Sequence, residues 1–182
     1  MLSIKAVLDI GTNCVLLLVA EKINSEIKIL NQSKENPRIG EGFSEYGMLN
    51  PIPKERGIAS ISKLLEISQK YKPDQLRAVG TRVFREALNA PSYIEEVKQK
   101  IGVDIDVISG EMEAEYSFNG SLYNLDIDMQ TVMVVDIGGG STEISFHSSN
   151  GTLLHYSMPV GAVTITENYL NTIPAYALEY DR

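Results

Sequence analysis

The residues best suited to chemistry lie between Val134 and Ile144. An apolar run ends in Asp136; Gly138, Gly139 and Gly140 follow, then Ser141 and Thr142, then Glu143 ahead of a second apolar stretch. The pattern predicts strand, tight turn, strand. A turn without β-carbons lets a ligand approach the backbone N–H groups, and phosphate is the ligand that best uses such a nest. Asp136 and Glu143 add hard oxygen donors suited to a divalent cation accompanying the phosphate. A near copy, Val7-Leu8-Asp9-Ile10-Gly11-Thr12-Asn13, opens the chain. An ordinary glycine hairpin would explain the first copy equally well. It explains the second poorly, because an Asp, three glycines and Ser-Thr make weak hairpin chemistry unless something comes close to the backbone.

Three further stretches carry candidate groups. Gly80–Asn89 sits at a strand-to-helix junction with Arg82 and Arg85, an anion site by dipole, free N–H groups and charge together, or else arginines paired to Glu86. Ile108–Glu115 crowds Glu111, Glu113 and Glu115 into the start of a helix. Acidic residues there also simply complement the helix dipole, and spacing does not say which of them points into a cleft. Met158–Thr164 is a strand-to-helix turn in which Gly161 either admits a ligand or is a plain turn residue. His147 and His155 fall at opposite ends of a hairpin and read as surface residues. The sequence has no zinc-type Cys/His constellation, no Gly-x-Ser-x-Gly and no Gly-Lys-Ser/Thr phosphate loop.

The elements that must position these groups follow from periodicity. Ile4–Ile10 and Cys14–Ala20 are apolar strands, with Cys14 buried and inert, and Ile27–Asn31 alternates as a third. Lys34–Asn50 reads as loop. Pro51 and Pro53 open a helix to about Tyr71. Leu76–Val79 is a short strand, Thr81–Leu88 and Pro91–Ile101 are helices, Val103–Ile108 is a strand, and Glu111–Tyr123 a helix. After the polar connection 124–130 the opening pattern returns: strands at Thr131–Asp136, Glu143–His147 and Leu153–Met158, with Asn150-Gly151 as a hairpin signal, then a helix from Ala162 to Leu170. The three-stranded meander with its Asp-Gly turn is thus duplicated, giving domains at 1–124 and 125–182. Two such units facing each other would form a cleft with a phosphate loop on each wall.

The 182 residues suffice for a real core, and 43% apolar with 22% charged residues is the composition of a globular protein. A net charge of −8 argues against a general nucleic-acid binder. It also requires that any polyanion be held by a local cation, a metal or backbone N–H groups. Nothing near the start resembles a signal peptide, the first apolar run being cut short by Asp9, and no apolar run reaches the roughly 18 residues of a membrane span. The single cysteine fits a reducing cytoplasm.

Together, Val7–Asn13, Gly80–Asn89, Ile108–Glu115, Val134–Ile144 and Met158–Thr166 resemble the exopolyphosphatase / guanosine pentaphosphate phosphohydrolase family (Ppx/GppA). That family belongs to the actin-like ATPase superfamily of duplicated ribonuclease-H-like α/β domains. The resemblance implies that Glu113, immediately before the Ala of its motif, is the catalytic carboxylate. It places metal-supporting carboxylates at Asp136, Glu143 and Asp9, and the phosphate-gripping arginine at Arg85. Gly11, Thr12, Asn13, Gly138, Gly139, Gly140 and Ser141 would cradle phosphoryl oxygens. The implied cofactor is Mg²⁺ or another hard divalent cation, and the implied substrate is polyphosphate or guanosine pentaphosphate, with no nucleic acid or membrane as partner.

The chain departs from the family in length. Its second ribonuclease-H-like copy receives three strands and a helix, and the weak patterning of 171–182 favours a truncated copy. An open sheet edge would follow, with homodimerisation as one outcome. Two other classes compete: a superfamily kinase or ATPase, which leaves Glu113 without a role, and a non-catalytic phosphate- or alarmone-binding lobe or inactive fragment.

Overall fold

The structure is a computed structural model and describes residues 3–24, 26–43 and 47–170. The tail expected to be weakly patterned lies outside the described residues. The chain divides into two compact units, Met1–Val107 and Ile108–Arg182. Among the described residues no helix is long and apolar enough to cross a membrane.

In the first unit, β1 (Ser3–Ile10), β2 (Val15–Ile23) and β3 (Glu26–Glu35) form an antiparallel meander. Helix α1 (Pro51–Gln69) returns the chain to β4 (Gln75–Gly80), parallel to β1. The short helix α2 (Arg82–Glu86), helix α3 (Ala90–Ile101) and β5 (Ile105–Val107) complete it, in the sheet order β3-β2-β1-β4-β5. Alternation sorts the strands: Ala6, Leu8 and Ile10 with Val15, Leu17 and Val19 point to the core, where Ile61 and Leu64 of α1 and Tyr93 and Val97 of α3 meet them. Proline opens α1 where its missing N–H costs nothing. Gly102, at φ 69°, ends α3 in the left-handed conformation that glycine adopts freely.

In the second unit, helix α4 (Gly110–Ser121) packs on an antiparallel sheet of β6 (Met133–Ile137), β7 (Thr142–His147) and β8 (Leu153–Met158), and α5 (Ala162–Tyr169) follows. The boundary expected from the sequence falls after residue 124, at the polar connection 124–130. By contact, α4 already lies with the second sheet, because Ala114 and Phe118 bury against it.

Three expectations are corrected. β3 runs to Glu35 rather than ending near Asn31, because its backbone ladder with β2 continues from Asn31 to Glu35 whatever the side chains. Cys14 precedes β2 and is half-buried in the turn, where its carbonyl accepts from the Gly11 N–H at 2.9 Å. The histidines are half-buried rather than on the surface. His147 packs against the Phe118 ring, 5.0 Å between centroids and nearly perpendicular, and His155 Nδ1 lies 3.4 Å from the Ser145 hydroxyl.

Candidate functional site

The two glycine loops are closed by the same bond. The Gly11 N–H donates to the Cys14 carbonyl and the Gly138 N–H to the Ser141 carbonyl, each at 2.9 Å. In both copies an Asp sits two residues before that glycine, at the end of the first strand of a meander. The first loop is backed by the segment after β3: Gly40 N–H donates to the Thr12 carbonyl and Arg38 N–H to the Asn13 carbonyl, both at 2.9 Å.

Register separates the copies. Asp9, half-buried and with one carboxylate oxygen fully buried, stands opposite Leu16 on β2. Asp136 stands directly opposite Glu143 on β7, and Glu143 opposite Ser157 on β8. Directly opposed residues have β-carbons roughly 5 Å apart, so two carboxylates share one small patch of the sheet and repel unless a cation lies between them. Each is held by a serine: Ser117 of α4 donates to Asp136 Oδ2 at 2.8 Å, and Ser157 to Glu143 Oε1 at 3.1 Å.

Helix α4 sets the crowded glutamates in different surroundings. Ser109 caps it, its hydroxyl accepting from the Met112 N–H at 3.2 Å. Glu111 and Glu115 are exposed, whereas Glu113 is half-buried. Glu113 lies one turn before Ser117 and hence on the same side of the helix as the hydroxyl that reaches Asp136. Neither serine stood out in the sequence. Ser117 is an ordinary polar residue of a helix, and nothing local links it to a strand 19 positions on.

The Gly80–Asn89 stretch makes α2, a helix of five residues anchored by buried Val83 and Phe84. Arg82 is committed to Glu86, Nε to Oε1 at 2.8 Å, while Arg85 is exposed. Gly161 does not leave room for a ligand: a β-carbon there would lie 2.6 Å from the Gly139 carbonyl and the Ser141 nitrogen, so the loop itself takes the space. Ser141 is buried at the end of that loop.

Among the described residues, no three His, Cys, Asp or Glu side chains cluster as a metal site. The opposed pair Asp136–Glu143 fits instead the kind of ion that takes one or two carboxylates and completes its shell with substrate oxygens and water, as Mg²⁺ does.

Comparison with known proteins follows the same lines. A crystal structure of the Aquifex aeolicus Ppx/GppA family member superposes with a TM-score of 0.76 at 29% identity, over all of this chain and 59% of that one. A structure of an exopolyphosphatase-like protein gives 0.87 at 26% identity, over 99% of this chain and 57% of that one. An exopolyphosphatase from Cytophaga hutchinsonii gives 0.85 at 25% identity, over 97% of this chain and 56% of that one. The chain therefore spans less than two thirds of the length of the structures it matches. The resemblance drawn from its motifs and the actin-like α/β fold it implies are both borne out. Residues 18–182 match the Ppx/GppA phosphatase family, and the chain belongs to that family.

Proposed function

We propose that the chain carries the phosphoryl-handling groups of a phosphohydrolase that releases terminal phosphate from inorganic polyphosphate or guanosine pentaphosphate. The observation that carries this reading is the grouping on the second sheet. Asp136 and Glu143 oppose each other, Ser117 ties Asp136 to α4, and Glu113 lies one turn away on the same helix. The similarity to structures described as exopolyphosphatases supports the same class.

Phosphoryl transfer from an anhydride asks for positioning and charge stabilisation more than for covalent help. Asp136 and Glu143 would hold a Mg²⁺ ion, which when bound neutralises the charge of the phosphoryl oxygens. In the second unit the Gly138–Ser141 loop binds and orients those oxygens through the N–H groups of Gly139 and Gly140, the Gly138 N–H being bonded to the Ser141 carbonyl. In the first unit the Gly11-Thr12-Asn13 loop and Arg85 are by themselves a second candidate phosphate-binding set, with Asp9 as a candidate metal-supporting carboxylate. Glu113 accepts a proton from the attacking water as its oxygen bonds to phosphorus and the anhydride P–O bond breaks. Ser109 caps α4, so Glu113 stands on the first turn of a helix instead of a loop, which supports a fixed position for a base.

The test is phosphate release from polyphosphate, guanosine pentaphosphate and ATP with Mg²⁺, alongside Glu113→Gln. Release from either of the first two, falling by about three orders of magnitude in the variant while binding persists, supports the reading. Turnover of ATP alone favours a superfamily ATPase, and binding without release a non-catalytic lobe. Release from Glu113→Gln at the wild-type rate removes Glu113 from its role.

A further inference from the structure

The second glycine loop is clasped from behind by the segment that follows β8. Ala162 N–H donates to the Gly138 carbonyl at 2.9 Å, and Val163 and Thr164 N–H both reach the Gly139 carbonyl, at 2.7 and 3.2 Å. Thr142 Oγ1 donates to the Val160 carbonyl at 2.6 Å. The Thr164 hydroxyl accepts from the Gly161 N–H at 2.7 Å and donates to the Gly161 carbonyl at 2.9 Å, locking the turn into α5.

The consequence follows from peptide geometry. A trans peptide carries its C=O and N–H on opposite edges of one plane. With the carbonyls of Gly138 and Gly139 pinned to the start of α5, the N–H groups of the same two peptides, those of Gly139 and Gly140, are turned away from the helix. The helix's unsatisfied donors are spent on the loop and not offered to a ligand. Bonds accepted at each carbonyl polarise the peptide and strengthen the N–H at its other edge as a donor. The contact is close enough to exclude a side chain: a β-carbon on Gly161 would meet backbone atoms of Gly139 and Ser141 at 2.6 Å, and these give way only if the loop moves.

We propose that Gly161 and Thr164 are positioning residues for phosphate recognition, holding the Gly138–Ser141 loop so that the Gly139 and Gly140 N–H groups are presented together to a phosphoryl group. The inference rests on the phosphohydrolase reading for its ligand class, but its test reads binding rather than turnover.

The full chain, labelled with ¹⁵N, is titrated with tripolyphosphate. In wild type the Gly139 and Gly140 amide signals are expected to move. In Gly161→Ala and Thr164→Val the dissociation constant is expected to rise by about tenfold or more, since small misplacements of binding groups are costly. Thr164→Ser, which keeps the hydroxyl, should restore binding. Gly120→Ala, on α4 with open space around its β-carbon, should bind as wild type. Unchanged affinity in both Gly161→Ala and Thr164→Val overturns the proposal, as does a wild type whose Gly139 and Gly140 signals stay still. Phosphate release surviving Gly161→Ala with unchanged KM also overturns it while leaving the phosphohydrolase reading in place. Tripolyphosphate bound at these amides, weakened by the variants and never hydrolysed, supports the proposal and removes the phosphohydrolase reading.

Discussion

The hydroxyl of Ser117 lies 2.8 Å from Asp136 Oδ2 and joins the middle of α4 to the end of β6. The bond orients one of the two opposed carboxylates for which a Mg²⁺ ion is proposed. Ser117→Ala is expected to cost about 1 kcal/mol at most in stability, as for a hydrogen bond open to water. It should raise the Mg²⁺ concentration for half-maximal phosphate release by about fivefold. A metal titration of the variant checks this, and an unchanged half-saturation would leave Ser117 a packing residue.

Asp136 and Glu143 face each other across adjacent strands. Like charges so placed destabilise a sheet by roughly 0.2–1 kcal/mol. Glu143→Gln should therefore melt slightly higher than wild type in the absence of divalent cations and lose most of the wild type's stabilisation by Mg²⁺. Thermal melts with and without the metal separate the two effects. A variant that melts lower without metal would show that the carboxylates do not repel.

Gly57 of α1 faces Tyr93 of α3: a β-carbon there would fall 2.2 Å from the Tyr93 hydroxyl and 3.0 Å from Ile39. The hydroxyl has nowhere to retreat, being bonded to the Lys54 carbonyl at 3.0 Å in a fully buried side chain. Alanine favours a helix interior over glycine by about 1 kcal/mol, but overpacking costs roughly 1–3 kcal/mol, so Gly57→Ala should destabilise. Tyr93→Phe removes the clashing oxygen, and urea denaturation should show the two substitutions costing less together than the sum of their separate costs.

The same tyrosine sets an alkaline limit. Burial, and then the charge of Glu96, push the Tyr93 phenol above its ordinary value of 10.0. A group raised in the folded state stabilises fully below its unfolded value and loses that contribution as pH climbs. Stability should accordingly fall above pH 10, by up to about 1.4 kcal/mol per pH unit, with a shallower fall in Tyr93→Phe. Glu96 behaves oppositely: hydrogen bonds from Lys100 and Lys54 hold it below the ordinary carboxylate value, so its contribution is present near neutrality and lost as acid protonates it. Equilibrium unfolding across pH, repeated in Glu96→Gln, resolves both ends.

Met133, Val135 and Ile137 are 61, 49 and 71% exposed, although the corresponding Ala6, Leu8 and Ile10 of the first copy are buried under α1 and α3. An apolar strand face of this kind promotes association. Replacing Val135 and Ile137 with threonine, which keeps β-propensity, should raise the concentration at which light scattering detects self-association.

Much of this was legible in the residues. Glycine runs after an Asp marked both loops, prolines marked the start of α1, and apolar runs marked the strands, because each signal is local. What escaped was set by contacts between distant segments. Ser117 acquires its part from a strand 19 positions away, and Ser157 from its register with Glu143. Gly161 read as a turn or a gap for a ligand because its need for a missing β-carbon comes from Gly139, across a hairpin. The length of β3 followed its ladder partner and not its own polar side chains.

The clasp on the second loop is made wholly of amides, carbonyls and the hydroxyls of Thr142 and Thr164. None of these titrates in the working range, and none is screened by salt as an exposed ion pair would be. Acid and ionic strength therefore act on the charge of the phosphoryl group the loop receives, while the aim of its amides stays constant.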